Sequence, residues 1–141
     1  IKYREGSSHM SKVTDALQAL TRLVHWMPRQ QVLTLKHALY SEEKEGIADL
    51  VLRAEEAIEA LPMPYSTDGQ GNAAIARLHY FRGGMDAWIT ERDSSVVQHQ
   101  AFGLIDLGHF AELGYISIQE LIDNNMELDL YWSPKPLKDI L

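Results

Sequence analysis

The sequence predicts an α+β protein in which three N-terminal helices pack on one face of an antiparallel four- to five-stranded sheet, with a short helix after the fourth strand. In the first third of the chain, apolar residues recur every three or four positions, which is the spacing of one helix face. From residue 73 onward, short segments alternate between apolar and polar residues and are separated by glycine-containing turns. Because these segments are joined by short connections, we expect neighbouring strands to be antiparallel.

The chain divides by composition into a leading segment and one expected domain. Residues 1–10 end in GSSHM and resemble the remnant of an expression tag, so they are left out of the fold prediction. Residues 11–141 are expected to form a single α+β domain, because about fifty helical residues alone would bury a thin core. Within it we expect a helical part at 11–61, a loop at 62–72 that is rich in Pro, Gly, Ser, Asp and Asn, and a sheet part at 73–141.

Three helices are predicted at 11–27, 28–40 and from Ser41 to about Leu61. Pro28 separates the first two, because the residue before proline avoids helical geometry and proline itself suits a first helical turn. Ser41 has the side chain of a good N-cap for the third helix. The third helix carries an acidic row that we interpret as its solvent-exposed face, formed by Glu55, Glu56 and Glu59.

Strands are predicted at 74–81, 85–92, 98–107 and 113–116, with a last short strand at 128–132. Gly83 and Gly84 provide the tight turn of the first hairpin. Ser117 and Glu120 have the spacing of a capping box, which predicts that a short helix begins directly after the fourth strand. A short terminal helix is expected at 137–141.

The composition excludes several functional classes. The net charge is −7, so a broad nucleic-acid-binding face is not expected, since phosphate contacts need Lys and Arg. The same acidity permits the protein to imitate nucleic acid toward a basic partner. The chain contains no cysteine, which excludes disulfides, thiolate metal sites and a cysteine nucleophile. We expect a cytoplasmic protein without a membrane span, and no cofactor is expected.

Four short motifs in the second half of the chain, WITERD, AFGLIDLG, ELGYISIQEL and ELDLYWSPKPL, occur in a characteristic order. In this order they resemble a small uncharacterised bacterial family found on plasmids and integrative elements. The residues that carry the resemblance are Trp88, Glu91, Asp93, Phe102, Gly103, Glu112, Leu113, Gly114, Tyr115, Ser117, Glu120, Asp129, Leu130, Tyr131, Pro134 and Pro136. The resemblance implies an origin in mobile genetic elements and implies no particular activity.

Acidic and histidine residues near the predicted strand ends suggest one possible reaction site. Converging carboxylates and imidazoles could act as acid and base in a small hydrolase, or bind a metal ion. The candidates are Glu91, Asp93, Asp106, His99 and His109. The alternative is that strand-end acids cap turns and pair with Arg82 and Arg92, and we favour it because structural ion pairs are common. The chain contains no compact metal-binding motif, so no metal site is predicted.

The leading functional hypothesis is a non-enzymatic accessory protein of a mobile element that acts by binding another protein. Tyr131 and Trp132 precede a proline-bounded loop, where aromatic side chains often lie at the surface and anchor interfaces. Glu112 and Tyr115 are grouped with them as candidate partner-binding residues. The identity of the partner is not predicted, and the protein is expected to be a monomer or a homodimer. An exposed sheet edge would offer a third possibility, self-association into an oligomer.

Overall fold

The computed structural model describes residues 9–92 and 100–141, and it confirms the predicted fold class. The helices are α1 (His9–Leu23), α2 (Arg29–Ala38), α3 (Lys44–Glu59) and the short α4 (Ile118–Asp123). The strands are β1 (Ile75–Ala76), β2 (Leu78–Arg82), β3 (Met85–Arg92), β4 (Gln100–Asp106), β5 (Ala111–Ser117), β6 (Glu127–Leu128) and β7 (Lys135–Pro136). Two 3-10 turns, Gly71–Ala73 and Leu137–Asp139, complete the described elements.

The helix boundaries follow the predicted breaks with two corrections, one at the end of α1 and one at the start of α3. α1 ends at Leu23, before the predicted end at residue 27. Pro28 occupies the N-cap position directly before α2, next to the first helical turn for which it was predicted. Ser41, however, does not cap α3, which begins after Glu43. The Ser41 hydroxyl donates to the Ala38 carbonyl (2.7 Å) and accepts from the Glu43 N–H (3.1 Å). Ser41 therefore closes the turn between α2 and α3, a local role that a serine side chain fills as readily as a cap.

The acidic row on α3 is not entirely solvent-exposed, which corrects the interpretation of Glu55. Ala16, Ala19 and Ala48 are fully buried between α1 and α3, and these small side chains let the two helices approach closely. Glu55 is buried at this contact and accepts two hydrogen bonds from Arg22 of α1, at 2.6 and 2.9 Å. A paired guanidinium is the usual condition under which a carboxylate is buried.

The main sheet has the strand order β5-β4-β3-β2-β6, and every neighbouring pair is antiparallel. β6 is shorter than the predicted strand at 128–132. The chain turns after Leu128 because the Asp129 side chain accepts a hydrogen bond from the Tyr131 N–H (2.9 Å), a common turn-forming contact of aspartate. Ser117 caps α4, as predicted, by accepting from the Glu120 N–H (3.1 Å).

The two faces of the sheet are covered differently. On the inner face, Leu78, Tyr80 and Ile89 pack in one hydrophobic cluster with the buried residues of α1, α2 and α3. On the outer face, the C-terminal segment packs through Leu137 on a smaller cluster that includes Leu104. This segment covers the sheet near β1 and β3, whereas β5 lies at the far edge.

Tyr80 joins the sheet to the helical layer. Its side chain is fully buried and its hydroxyl donates to the Trp26 carbonyl (2.5 Å) in the connection between α1 and α2. Burial raises the pKa of Tyr80 well above its ordinary value of 10.0, because the phenolate would lose its hydration.

A pH-dependent loss of stability follows from the buried Tyr80. Because the folded-state pKa is raised, this stabilisation is complete below the unfolded-state pKa and is lost as the pH rises above about 10. We expect Tyr80→Phe to make the free energy of unfolding fall less steeply above that pH than in the wild type. Urea unfolding at a series of alkaline pH values checks this, and parallel slopes in both proteins would contradict it.

In the part of the chain that the structure describes, no helix combines the length and apolar character needed to cross a membrane.

Candidate functional site

Strand β5 forms one edge of the main sheet and presents exposed apolar side chains. It pairs with β4 on one side and with no described strand on the other. On the outer face, Leu113 is 44% exposed and Tyr115 is 66% exposed. Leu107 and Phe110, in the connection between β4 and β5, are also exposed. Edge strands are commonly protected by short length, by lysine or by proline. The seven residues of β5 contain neither lysine nor proline, so they form a suitable surface for adding a strand.

A second aromatic side chain is held beside this edge by the loop at 62–72. Tyr65 has a left-handed backbone conformation (φ 66°), which is strained for a tyrosine. The buried Glu91 carboxylate maintains this conformation by accepting hydrogen bonds from the Tyr65 N–H, the Thr67 N–H (3.2 Å) and the Thr67 hydroxyl. Strain that is maintained by a buried side chain is a frequent feature of functional sites.

Tyr65, Phe102, Leu113 and Tyr115 together define what we name the β5 patch. The Phe102 and Tyr115 rings meet edge to face, with centroids 5.5 Å apart. Such an arrangement restricts the orientation of both rings. Tyr65 itself is largely exposed. The patch thus presents aromatic surface whose geometry is set before any partner binds, which lowers the entropic cost of binding.

The two tyrosine hydroxyls of the β5 patch interact. The hydrogen bond with Tyr65 is the main cause that raises the pKa of Tyr115, and the negative charges of Asp68 and Glu91 raise it further. We expect Tyr65→Phe to lower the Tyr115 pKa toward its ordinary value, because the hydrogen bond is lost. An NMR titration of the Tyr115 ring signals measures this directly. The matched control is Tyr131→Phe, at an exposed tyrosine on the opposite edge, which should leave the Tyr115 pKa unchanged.

The sequence around the β5 patch is strongly acidic. Between Arg92 and Lys135 the chain contains no lysine and no arginine. The same interval contains seven acidic residues, which are Asp93, Asp106, Glu112, Glu120, Asp123, Glu127 and Asp129. Of these residues, Glu112 lies on β5, and Glu120 and Asp123 lie on α4, whereas Glu127 and Asp129 lie at the opposite edge of the sheet.

The four predicted partner-binding residues fall at two separate places. Glu112 and Tyr115 lie on β5, whereas Tyr131 and Trp132 follow β6 at the other edge of the sheet. Four strand spacings separate these edges, which is about 19 Å. Tyr131 is exposed beside a 570 Å³ groove against α2 and α3. Trp132 is half-buried and donates its indole N–H to the Ala76 carbonyl (2.9 Å). The four residues therefore do not form one surface.

The predicted acid and histidine site is not brought together among the described residues. Glu91 lies near the end of β3, while Asp106 is paired with Asp86 at its start, five residues or about 16 Å away along the strand. Asp106 caps the following turn by accepting from the Gly108 N–H (2.8 Å), and His109 is exposed beyond it. Glu91 is occupied with the loop that carries Tyr65. Asp93 and His99 lie outside the residues that the structure describes.

The expected pairing of strand-end acids with Arg82 and Arg92 is not found among the residues that the structure describes. Arg82 donates to the Asn124 carbonyl (2.7 Å), and Arg92 donates to the Ile58 carbonyl (2.8 Å). Both guanidinium groups therefore bind the free carbonyls at or near helix ends, which are acceptors that a sequence pattern does not reveal.

On the outer face, His79 is surrounded by two carboxylates and an aromatic ring, an arrangement that the sequence did not predict. His79 contacts Asp86 through Nε2 (2.7 Å) and Asp129 through Nδ1 (2.9 Å), and its ring stacks on Trp88. Both ring nitrogens are in contact with a carboxylate, so His79 links β2, β3 and the segment after β6. In residues 9–92 and 100–141, no three acidic or histidine side chains are placed to hold a metal ion.

The fold and the site define the class of the molecule: an α+β protein with an open sheet edge beside exposed aromatic side chains. No family model, curated protein or solved structure matches the chain. The resemblance to a mobile-element family therefore stays a prediction.

Proposed function

We propose that this protein is a non-enzymatic binding module that recognises another protein by adding an extended segment of its partner to strand β5. The observation that carries the proposal is the open β5 edge beside a preformed aromatic patch. Strand addition uses main-chain hydrogen bonds for affinity and alternate side chains for specificity. The β5 edge offers the first, and the β5 patch offers the second.

The side chains of β5 indicate the chemistry of the partner. Leu113 and Tyr115 are two residues apart and share the outer face, so an added strand would place two apolar side chains against them. Glu112 directly precedes Leu113 and lies on the other face, where a Lys or Arg of the partner would form a cross-strand ion pair. The expected partner segment therefore alternates apolar and basic residues. The acidic surroundings of β5 would speed its association.

A partner segment that alternates apolar and basic residues also fits a protein that acts as an acidic inhibitor. A basic segment of a nuclease or repressor that normally contacts nucleic acid would also complement the acidic edge. A role on a mobile genetic element, which the sequence resemblance implies, and the cytoplasmic location expected from the composition are part of the same proposal.

A labelled synthetic peptide of alternating Val and Lys tests the proposal by fluorescence anisotropy. We expect it to bind the protein more tightly than the matching Val and Glu peptide, with an affinity that falls as salt is added. Tyr115→Ala should weaken binding about tenfold, as expected for an aromatic anchor. The matched control is Tyr131→Ala, since Tyr131 is similarly exposed at the opposite edge. Equal losses in the two variants, or equal binding of the two peptides, would contradict the proposal.

A second copy of the chain is the other possible occupant of the β5 edge. Antiparallel pairing centred on Gly114 would place Leu113 opposite Tyr115 of the second copy, but it would place Ile116 opposite Glu112 and so offer Glu112 no basic partner. We therefore expect a monomer in sedimentation equilibrium. A dimer that Tyr115→Ala dissociates would show that the edge binds a second copy, and it would replace the proposed heterologous partner.

A further inference from the structure

A cleft of 310 Å³ lies between α3 and the segment at 128–134, on the edge of the sheet opposite β5. Apolar side chains form much of its lining, including Ala54 and Ala57 of α3, Leu78 of β2 and Leu128 of β6. Two guanidinium groups, those of Arg53 and Arg77, also line the cleft. A small apolar cleft with a few convergent polar groups is typical of sites for small molecules.

Arg77 lines this cleft and contains a donor that is not satisfied in the described part of the structure. Its Nε is buried and has no hydrogen-bond partner among the described residues. A guanidinium has donors only, so the missing group is an acceptor, and leaving a buried donor unpaired is unfavourable. Asp129 also lines the cleft, but its carboxylate is already occupied. One oxygen contacts His79 Nδ1 (2.9 Å) and the other accepts from the Tyr131 N–H (2.9 Å).

Arg53 and Lys135 add positive charge at the cleft wall and at the Trp132 ring, respectively. Arg53 donates from Nη2 to the Leu130 carbonyl (2.9 Å), which fixes its guanidinium against the cleft wall. Lys135 lies over the Trp132 ring, with Nζ 4.9 Å from the ring centroid, and this ring forms part of the lining. The exposed Glu56 is the acidic residue at the cleft without a described partner, and its charge opposes an anion there.

We infer that this cleft binds a small organic carboxylate. The carboxylate accepts hydrogen bonds from Arg77 and Arg53, because the planar guanidinium matches a carboxylate in geometry and charge. The apolar body of the ligand lies against Leu78, Leu128 and Trp132. This site is independent of partner binding at β5, since it lies on the opposite edge of the sheet.

Phenylacetate is the probe for this inference, and phenylacetamide is its uncharged control. In an NMR titration at millimolar concentrations, phenylacetate should shift the Trp132 indole N–H signal. We expect phenylacetamide to bind about tenfold more weakly, because it lacks the charge that pairs with the guanidinium groups. Arg77→Lys should weaken phenylacetate binding by a similar factor, since lysine does not reproduce the bidentate geometry. Glu56→Gln should strengthen it, because a repulsive charge is removed.

The Glu56→Gln variant keeps the test decisive even if Arg77→Lys does not fold, because Glu56 is exposed on α3. Equal affinities for phenylacetate and phenylacetamide would overturn the inference, as would a Glu56→Gln variant that binds phenylacetate no better than the wild type. Inorganic phosphate serves as a further probe. Phosphate binding as tight as that of phenylacetate would overturn the assignment of an organic ligand, because phosphate has no apolar body.

Discussion

Gly103→Ala is expected to lower the free energy of unfolding by about 3 kcal/mol or more, a cost that only severe overpacking produces. A Cβ at this position would lie 1.9 Å from the Trp88 carbonyl oxygen and 2.9 Å from its carbonyl carbon. Both atoms belong to the backbone of β3, the strand that pairs with β4 at this point. A backbone in the middle of a sheet cannot move aside without breaking ladder hydrogen bonds, so the strain stays in the folded state. Equilibrium unfolding in urea measures the loss.

Gly114→Ala is the matched control for this prediction. Gly114 is the residue paired with Gly103 across β4 and β5, and a Cβ there meets nothing within 4 Å. The same change of one methyl group should therefore alter the free energy of unfolding by no more than about 0.5 kcal/mol. If the two variants lost equal stability, the close approach of β3 to Gly103 would not be the cause.

Tyr80→Ala is expected to lower the free energy of unfolding by about 4 kcal/mol, the typical cost of removing a buried aromatic ring. The ring is fully buried in the cluster that the sheet shares with the three N-terminal helices. The change also removes the hydrogen bond to the Trp26 carbonyl. The matched control is Tyr40→Ala, at a tyrosine that is 72% exposed, where we expect a change within about 0.5 kcal/mol.

Because the sheet and the helices share one hydrophobic cluster, we also expect them to unfold together. If helices and sheet depend on one core, far-ultraviolet circular dichroism and tryptophan fluorescence should report the same urea midpoint, in the wild type and in Tyr80→Ala. A variant that kept its helical signal after the fluorescence transition would show that the helical layer folds by itself, and the shared core would then be wrong.

Sequence patterns located the helices and strands because these elements depend mainly on residues that are close together in sequence. The bounds of β3 at 85–92 are those predicted, since two glycines before it and alternating residues within it define a hairpin strand. Where a side chain had two local options, the prediction was wrong. Ser41 closes a turn instead of capping α3, and Asp129 turns the chain where a longer strand was expected.

The candidate sites were only partly predictable, because they depend on pairs of residues that are distant in sequence. Alternation placed Tyr115 on β5, yet nothing local indicated that Glu91 holds Tyr65 beside it from 26 residues away. In the same way, the contact between His79 and Asp129 spans 50 residues. One signal was readable in the sequence: the interval between Arg92 and Lys135 has no lysine and no arginine, which predicts an acidic surface.

Amide hydrogen exchange of β5, with and without the Val and Lys peptide, tests strand addition most directly. In the free protein, the β5 amides that point away from β4 have no described strand to bind, so they should exchange rapidly. The proposal predicts that these same amides become protected when the peptide binds, because only a new strand pairs with them. Protection at the groove beside Tyr131, with the outward amides of β5 still exchanging rapidly, would contradict it.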